Sequence, residues 1–594
     1  MTALVQRLIF CSVAAGGLVA TCFLIAQPAA QAADVVWSGG SGNWSAGGNW
    51  TGGNVPAAGD TAIIAGGGNP QVTSDVGEVS MIQAGGAGGP GSVTMTGGSL
   101  ISRGLGGAGV PINGSLNLGP VAGGTGTFNM RGGTLQFGEP GAPGTNDSGD
   151  HGWAYIGGSG GNIFGGGGTG NGEFNLSGGE VTFHQRIMLG YRGNGVLNQT
   201  GGSLIARGDN AYSDAIGLGD QNGSHGVYNL SGGAAEITGA FRVGNWEGSG
   251  EVNISNDAQL TVLGELSVGS EAGDAGNSGV VNQQSGDVSV NSLLIAQSGS
   301  SAGVYNLSSG TFYVETTSEI GRDGNAEFVQ TGGIAELFEP KIAVGASSTG
   351  VYRLLGGTLN LAFSPISFGA GQGSFDFQGG ELRAATSVQF SLVNAGGAIS
   401  PGELAGETTI EGNYTVTSVD AALNIELESL ASFDKLTVSG SVDLDGVLNV
   451  SLLNNFTPSL GNTFTVLTGA SLSGTFAQTN FPSLGAGLGW DVIYDGDSVA
   501  IKIIEQTDVP GDTNGDGKVD IVDLNNVRNN FGSSGDPILG DTAPFNGTVD
   551  ITDLNNVRNN FGAGVPSQAT PEPSAIVLLG MSAGLLALAM RKRR

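Results

Sequence analysis

A short phrase recurs along this chain, and the recurrence constrains the fold before any single motif does. It stands as TFNMRGGTLQF at Thr127, EFNLSGGEVTF at Glu173, VLNQTGGSLIA at Val196, VYNLSGGAAEI at Val227, EVNISNDAQLTV at Glu251, VVNQQSGDVSV at Val280 and VYNLSSGTFYV at Val304. Its asparagines are Asn129, Asn175, Asn198, Asn229, Asn253, Asn282 and Asn306, and from Asn175 onward they lie 23, 31, 24, 29 and 24 residues apart. A unit of 23 to 24 residues therefore repeats with occasional insertions. The later copies EFVQTGGIAEL, VYRLLGGTLNL and SFDFQGGELRA lose the asparagine and keep the spacing.

A second phrase falls about halfway through each unit: IMLGYRG, AIGLGDQ, FRVGNWE, LSVGSEA, SEIGRDG and IAVGASS. Two short alternating strands per unit, each closed by glycine, predict that every unit is one coil of a right-handed parallel β-helix. Alternation sends Phe, Leu and Val inward, and glycine takes the corners where φ is positive. The recurring asparagines are expected to stack as an internal hydrogen-bonded ladder. A β-propeller needs longer blades, of about 40 residues.

Composition narrows the function. The 594 residues include 112 glycines with only 12% charged residues, unlike an ordinary globular enzyme, and no strict triplet period supports collagen. A net charge of −31 repels nucleic acid and attracts divalent cations. Residues 1–33 read as a secretory signal peptide, with one arginine, an apolar run and small residues suited to cleavage after Ala32 or Ala33. Both cysteines, Cys11 and Cys22, lie inside it, so the mature chain is expected to hold neither disulfide nor thiol nucleophile.

At the other end Pro571, Glu572 and Pro573 precede a short apolar run, Ala575 to Met590, and the basic cluster Arg591, Lys592, Arg593 and Arg594. Residues 571–594 resemble the PEP-CTERM sorting signal of bacteria. That resemblance implies export, a C-terminal hydrophobic helix that anchors the chain transiently in the membrane, recognition by an exosortase-type processing enzyme, and delivery to the cell surface or an exopolysaccharide matrix. The plain alternative is a tail anchor with cytoplasmic arginines.

Residues 34–110 carry Trp37, Trp44 and Trp50 among glycines and resemble the opening of autotransporter-like repeat proteins. They are expected to cap the first coil's edge rather than form a sugar-stacking platform. Coils are expected over 111–398. From 399 to 505 glycine thins, and a β-rich module resembling a C-terminal passenger segment is expected. Its Asp434, Asp443 and Asp445 are read as turn residues.

The stretch GDTNGDGKVDIVD begins at Gly511. Counted from Asp512, oxygen-bearing groups fall at loop positions 1, 3, 5, 9 and 12 as Asp512, Asn514, Asp516, Asp520 and Asp523, with Gly517 at 6 and the Lys518 carbonyl at 7. Hard oxygen ligands at these spacings around a glycine turn describe a Ca²⁺ loop. Ile521, Leu524, Val527 and Phe531 predict a following helix. A second copy retains Asp541, Asn546, Asp550 and Asp553 but is one residue longer, with Ala543, Pro544 and Phe545 among the ligand positions; it is expected to bind weakly or not at all. Both copies run into LNNVRNNFG. The duplicated loop–helix units of 508–564 resemble a type I dockerin, a small EF-hand-type pair, which implies a cohesin-like partner.

No catalytic residue is assigned. His151, His184 and His225 lie in different coils, and the coils show no clear cluster of Asp, Arg and Lys in adjacent units. The expected protein is a secreted structural or adhesive β-solenoid with a calcium-binding module. The alternative is a dockerin-bearing polysaccharide hydrolase or lyase built on a β-helix.

Overall fold

The computed structural model describes residues 7–11, 22–26, 33–104, 115–138, 153–158, 168–208, 214–221, 223–270, 276–361, 364–484, 488–505, 509–534, 540–542 and 547–563. The described residues are mainly β, with two short α-helices late in the chain. The expected C-terminal hydrophobic helix, the sorting residues Pro571, Glu572 and Pro573, and Ala32 lie outside the described residues. Two compact units are resolved: Met1–Ile425 with Asp434–Asn449 and Leu467–Thr479, and Glu426–Phe433 with Val450–Val466 and Asn480–Arg594.

In the first unit each repeat pairs in parallel, and in register, with the next. Asn129 stands opposite Asn175 and Asn175 opposite Asn198. The same register carries Asn198 to Asn229, Asn253, Asn282 and Asn306, then on to Val329, Arg353 and Asp376. The second phrase forms its own ladder through Ile187–Leu189, Asp214–Leu218, Ala240–Val243 and Gln259–Val268. A unit holds three strands where two were expected, because the glycine corner divides the first phrase. Asn171–Leu176, Glu180–Phe183 and Ile187–Leu189 are one such set. In IAVGASS the corner falls on Ala343, with φ of 55°, and not on the glycine two residues later.

Inward positions are apolar, as alternation requires: Phe128, Phe174, Leu197, Tyr228, Val252, Tyr305, Phe328 and Tyr352 are all buried. In-register pairing places like residues about 4.8 Å apart, so rings stack rather than meet edge to face. Tyr305 and Phe328 stack at 5.0 Å with planes 1° apart, and Phe328 and Tyr352 at 4.8 Å.

The asparagine ladder exists, but it runs along the outer face. Each asparagine donates from Nδ2 to Oδ1 of its predecessor at 2.8–3.0 Å, from Asn175 onto Asn129 through to Asn306 onto Asn282. These side chains alternate with the buried ones, so they are half-exposed and not internal. Where the amides stop, Arg353 continues the row, bridging Glu327 and Asp376, the latter at 2.7 Å.

The interior holds a different polar device. Tyr228, Tyr305 and Tyr352 donate at 2.6–2.7 Å to the amide oxygens of Gln199, Gln283 and Gln330, each one unit earlier. Each glutamine donates in turn to backbone carbonyls, Gln283 to Thr311 at 2.8 Å and Gly286 at 3.0 Å. Such buried groups are tolerated only because they are partnered.

The corner glycine at 310 has φ of 84°, and a Cβ there would meet the Gly286 carbonyl oxygen at 2.1 Å. Only glycine lets successive corners stack this closely. Parallel pairing also continues past residue 399: Ala398–Pro401 pairs with Gln372–Ala384 and with Ala422–Leu427, and Asn449 donates to Asn424 at 2.9 Å.

At the start of the ladder Asp34–Val36 pairs with Thr61–Ile64, and Thr61 N–H donates to the Ala33 carbonyl at 2.9 Å. Trp37, Trp44 and Trp50 are buried, with adjacent rings edge to face at 4.9 Å. Their faces are closed to a sugar, and they fill the first rung.

The second unit contains an antiparallel hairpin, Leu488–Tyr494 with Ser498–Glu505. It also holds helices α1 (Ile521–Asn529) and α2 (Ile551–Asn559), which share a core of Val519, Val527, Val549 and Val557. Leu524 packs on that core, whereas Ile521 is exposed and Phe531 lies beyond the end of α1, also exposed.

Burial pushes the Tyr228, Tyr305 and Tyr352 phenols well above their ordinary range. Burial, partly opposed by the Asn394 hydrogen bond, raises Tyr414 to about 12. A raised folded value gives stability that is fully present below the unfolded tyrosine value of about 10 and is lost as pH climbs through the folded values. Above neutral pH, where the carboxyls are already ionised, unfolding midpoints should therefore stay flat up to about pH 10 and fall beyond it, with Tyr305→Phe shallowing the fall. At neutral pH that substitution should cost about 1–3 kcal/mol, since it orphans the Gln283 carbonyl. Combined with Gln283→Leu it should cost less than the two changes summed; additive losses would show that the pair is not coupled.

Candidate metal loops and a charged face

The first acidic loop is closed by its own backbone. Asp512 accepts from Gly515 N–H at 2.8 Å and from Gly517 N–H at 2.7 Å, so both carboxylate oxygens lie along the turn. Gly515 and Gly517 have φ of 73° and 80°, which admits the tight curvature. Asn514 Oδ1 accepts from Asp516 N–H at 3.0 Å, and Asp516 Oδ1 from Lys518 N–H at 2.9 Å. Asp520 caps α1 by accepting from Val522 N–H at 2.7 Å. Asp523, fully buried, returns to Asp520 N–H at 2.8 Å and completes a capping box.

The other Asp523 oxygen accepts from Thr513 N–H at 2.8 Å and Thr513 Oγ1 at 3.0 Å. Thr542 and Asp553 repeat this arrangement at 2.7 and 3.0 Å. The sequence reading passed over both threonines, although the signal was present as GDT opening each copy. Asn526 and Asn556 reach the same hydroxyls at 3.2 and 2.9 Å, tying each helix to its loop.

In the second copy Asp541 accepts from Gly547 N–H at 2.8 Å and Asp550 caps α2 at 2.6 Å. Asn546 and residues 543–545 lie outside the described residues. The copies brace each other: Val519 exchanges backbone hydrogen bonds with Gly562 and Ala563, and Val549 with Gly532 and Ser533.

Burial raises the Asp512 carboxyl above its ordinary value; the Gly517 and Gly515 N–H groups oppose this, and the Asp523 and Asp516 charges add to it. Oxygen-only donors under mutual repulsion suit a hard divalent cation. Among the described residues, however, no three His, Cys, Asp or Glu side chains gather closely enough to hold a metal as they stand.

The repeats carry a charge cluster that the sequence reading did not find. Arg242 Nε meets Asp214 at 2.8 Å, and Arg186 lies 3.6 Å from Asp214 and 3.8 Å from Asp220. Asn245 donates to Asp220 at 2.5 Å, and Arg186 stacks over Trp153 at 5.2 Å. These residues come from adjacent units on one sheet face, correcting the expectation that the coils lack such a grouping. The signal was hidden because insertions place the residues at unequal spacings. Nearby, burial raises Glu265, with Arg242 and Arg322 opposing and Asp214 and Glu319 reinforcing the shift.

Asp434 is buried and accepts from Gly406 N–H at 2.7 Å, Asp443 accepts from Ser473 at 2.9 Å, and Asp445 from Gly446 N–H at 2.8 Å. Only Asp445 holds a turn; Asp443 lies inside the strand Ser441–Leu444, and Asp434 and Asp443 tie segments 28 and 30 residues apart, because in this stack a neighbour in space is a whole unit away in sequence. His184 and His225 stand on different units, and His151 lies outside the described residues.

Residues 569–594 match the family model for the PEP-CTERM protein-sorting motif. The motif marks a secreted, envelope-sorted bacterial protein recognised by exosortase-type processing. A comparison with curated proteins gives no match. Among the described residues no helix is long and apolar enough to cross a membrane.

Asp214→Asn should leave Arg186 and Arg242 undercompensated in a buried setting and destabilise the repeats by about 3–5 kcal/mol. Chemical denaturation checks this, and an unchanged midpoint would make the cluster a solvated surface network.

Proposed function

We propose that the chain is a secreted or cell-surface structural and adhesive protein. Its repeats form a right-handed parallel β-solenoid, and its tandem acidic loops form a dockerin-like calcium module that docks a cohesin-type partner. The observation that carries the solenoid reading is the in-register parallel pairing of equivalent residues over successive units. What supports the docking reading is the duplicated loop–helix pair and its exposed apolar side chains, Ile521, Val522, Phe531, Ile551 and Phe561, on a module with a small core. Calcium, when bound, would neutralise the carboxylates of the first loop. Asp512, Asn514, Asp516, Asp520, Asp523 and the Lys518 carbonyl are the groups to hold it, and Asp541, Asn546, Asp550 and Asp553 those of the weaker second loop. The sorting tail then delivers the chain to the envelope or its exopolysaccharide matrix.

A second reading, a polysaccharide hydrolase or lyase, is favoured by one observation: the Arg186, Asp214, Asp220 and Arg242 cluster with Glu265 nearby. Against it, the two aspartates are already bound to arginine or asparagine, which fits a bracing role better than a free acid and base.

Calcium should raise the helical signal and thermal midpoint of the wild-type chain, and Asp512→Ala with Asp520→Ala should abolish that response. An unchanged response in the double variant would overturn the metal assignment.

A further inference from the structure

We infer that the repeat region carries a binding groove for a neutral, hydroxyl-rich polysaccharide at the corner marked by Trp246. This rests on the proposed adhesive role of the repeats and names what their surface holds.

A groove of about 420 Å³ crosses successive units there, and His225, Glu247, Ser249, Asn277, Ser278 and Ser300 line it. His225, Ser249 and Ser278 occupy one register position, so their side chains follow each other at the strand spacing of about 4.8 Å. The lining supplies hydroxyls, an amide, an imidazole and a single carboxylate, a mixture suited to sugar hydroxyls that both donate and accept.

His225 Nδ1 lies 2.8 Å from Ser249 Oγ, and that hydroxyl lies 3.3 Å from the Ser224 carbonyl. With the hydroxyl donating to the carbonyl, the imidazole donates from Nδ1 and keeps Nε2 as an acceptor.

Next to Glu247 stands Trp246, 48% exposed. Trp37, Trp44, Trp50 and Trp153 are buried and Trp490 half-buried, so Trp246 alone of the six is an exposed indole. Its φ of 55° is a conformation that bulky residues rarely adopt. An exposed aromatic beside a polar groove gives a ring to stack on and hydrogen-bonding groups to fix orientation. The net charge of −31 repels acidic polymers and leaves neutral ones favoured.

The test is affinity electrophoresis of the full chain through gels holding hydroxyethylcellulose, dextran or alginate, with Trp246→Asn and Glu247→Gln alongside. Asparagine tolerates positive φ, so the first variant should fold. A neutral glucan should retard the wild type and shield its fluorescence from iodide, and Trp246→Asn should weaken binding about tenfold, or 1.4 kcal/mol. Retardation by alginate alone, by no polymer, or equally in wild type and Trp246→Asn would overturn the inference. A chain that ignores all three polymers yet answers calcium loses this inference and keeps the docking module.

Discussion

Everything in the first unit depends on one constraint: equivalent residues of successive repeats face each other across a parallel ladder. Parallel pairing alone buries backbone but specifies no register. Here the side chains supply it three times over. Outside, an amide row links each asparagine to the one before. Inside, a tyrosine of one unit finds a glutamine of the preceding unit. At the corners, glycines pack where a Cβ would strike the preceding backbone. A slip by one residue would put asparagine in the core and phenylalanine in water.

Much of this was legible, for a physical reason. A unit that cannot close its own core must repeat its inward pattern, so the period and the buried Phe, Leu and Val positions stand in the letters. The side of the asparagine row was misjudged, although alternation with Phe128 and Phe174 already implied it. The tyrosine–glutamine pairs were missed because each spans two copies, and no single copy shows both members. The Arg186 and Asp214 contact was missed because insertions separate its members unevenly along the chain.

In the acidic loops the reading of side-chain oxygens was a reading of spacing, and spacing also serves a second purpose. Asp520 and Asp523 cap α1, and Asp550 and Asp553 cap α2. The carboxylates proposed as calcium ligands thus already hold the helix starts. Thr513 and Thr542 escaped notice because a hydroxyl between ligand positions carries no metal signature.

In the proposed solenoid the repeats form a one-dimensional stack in which each unit leans only on its neighbours. Single-molecule stretching of the full chain tests it most directly. Unwinding should proceed in many small steps of about 8 nm, the extended length of a 24-residue unit at about 3.5 Å per residue. One large cooperative release spanning the repeats, with no such periodicity, would contradict the account.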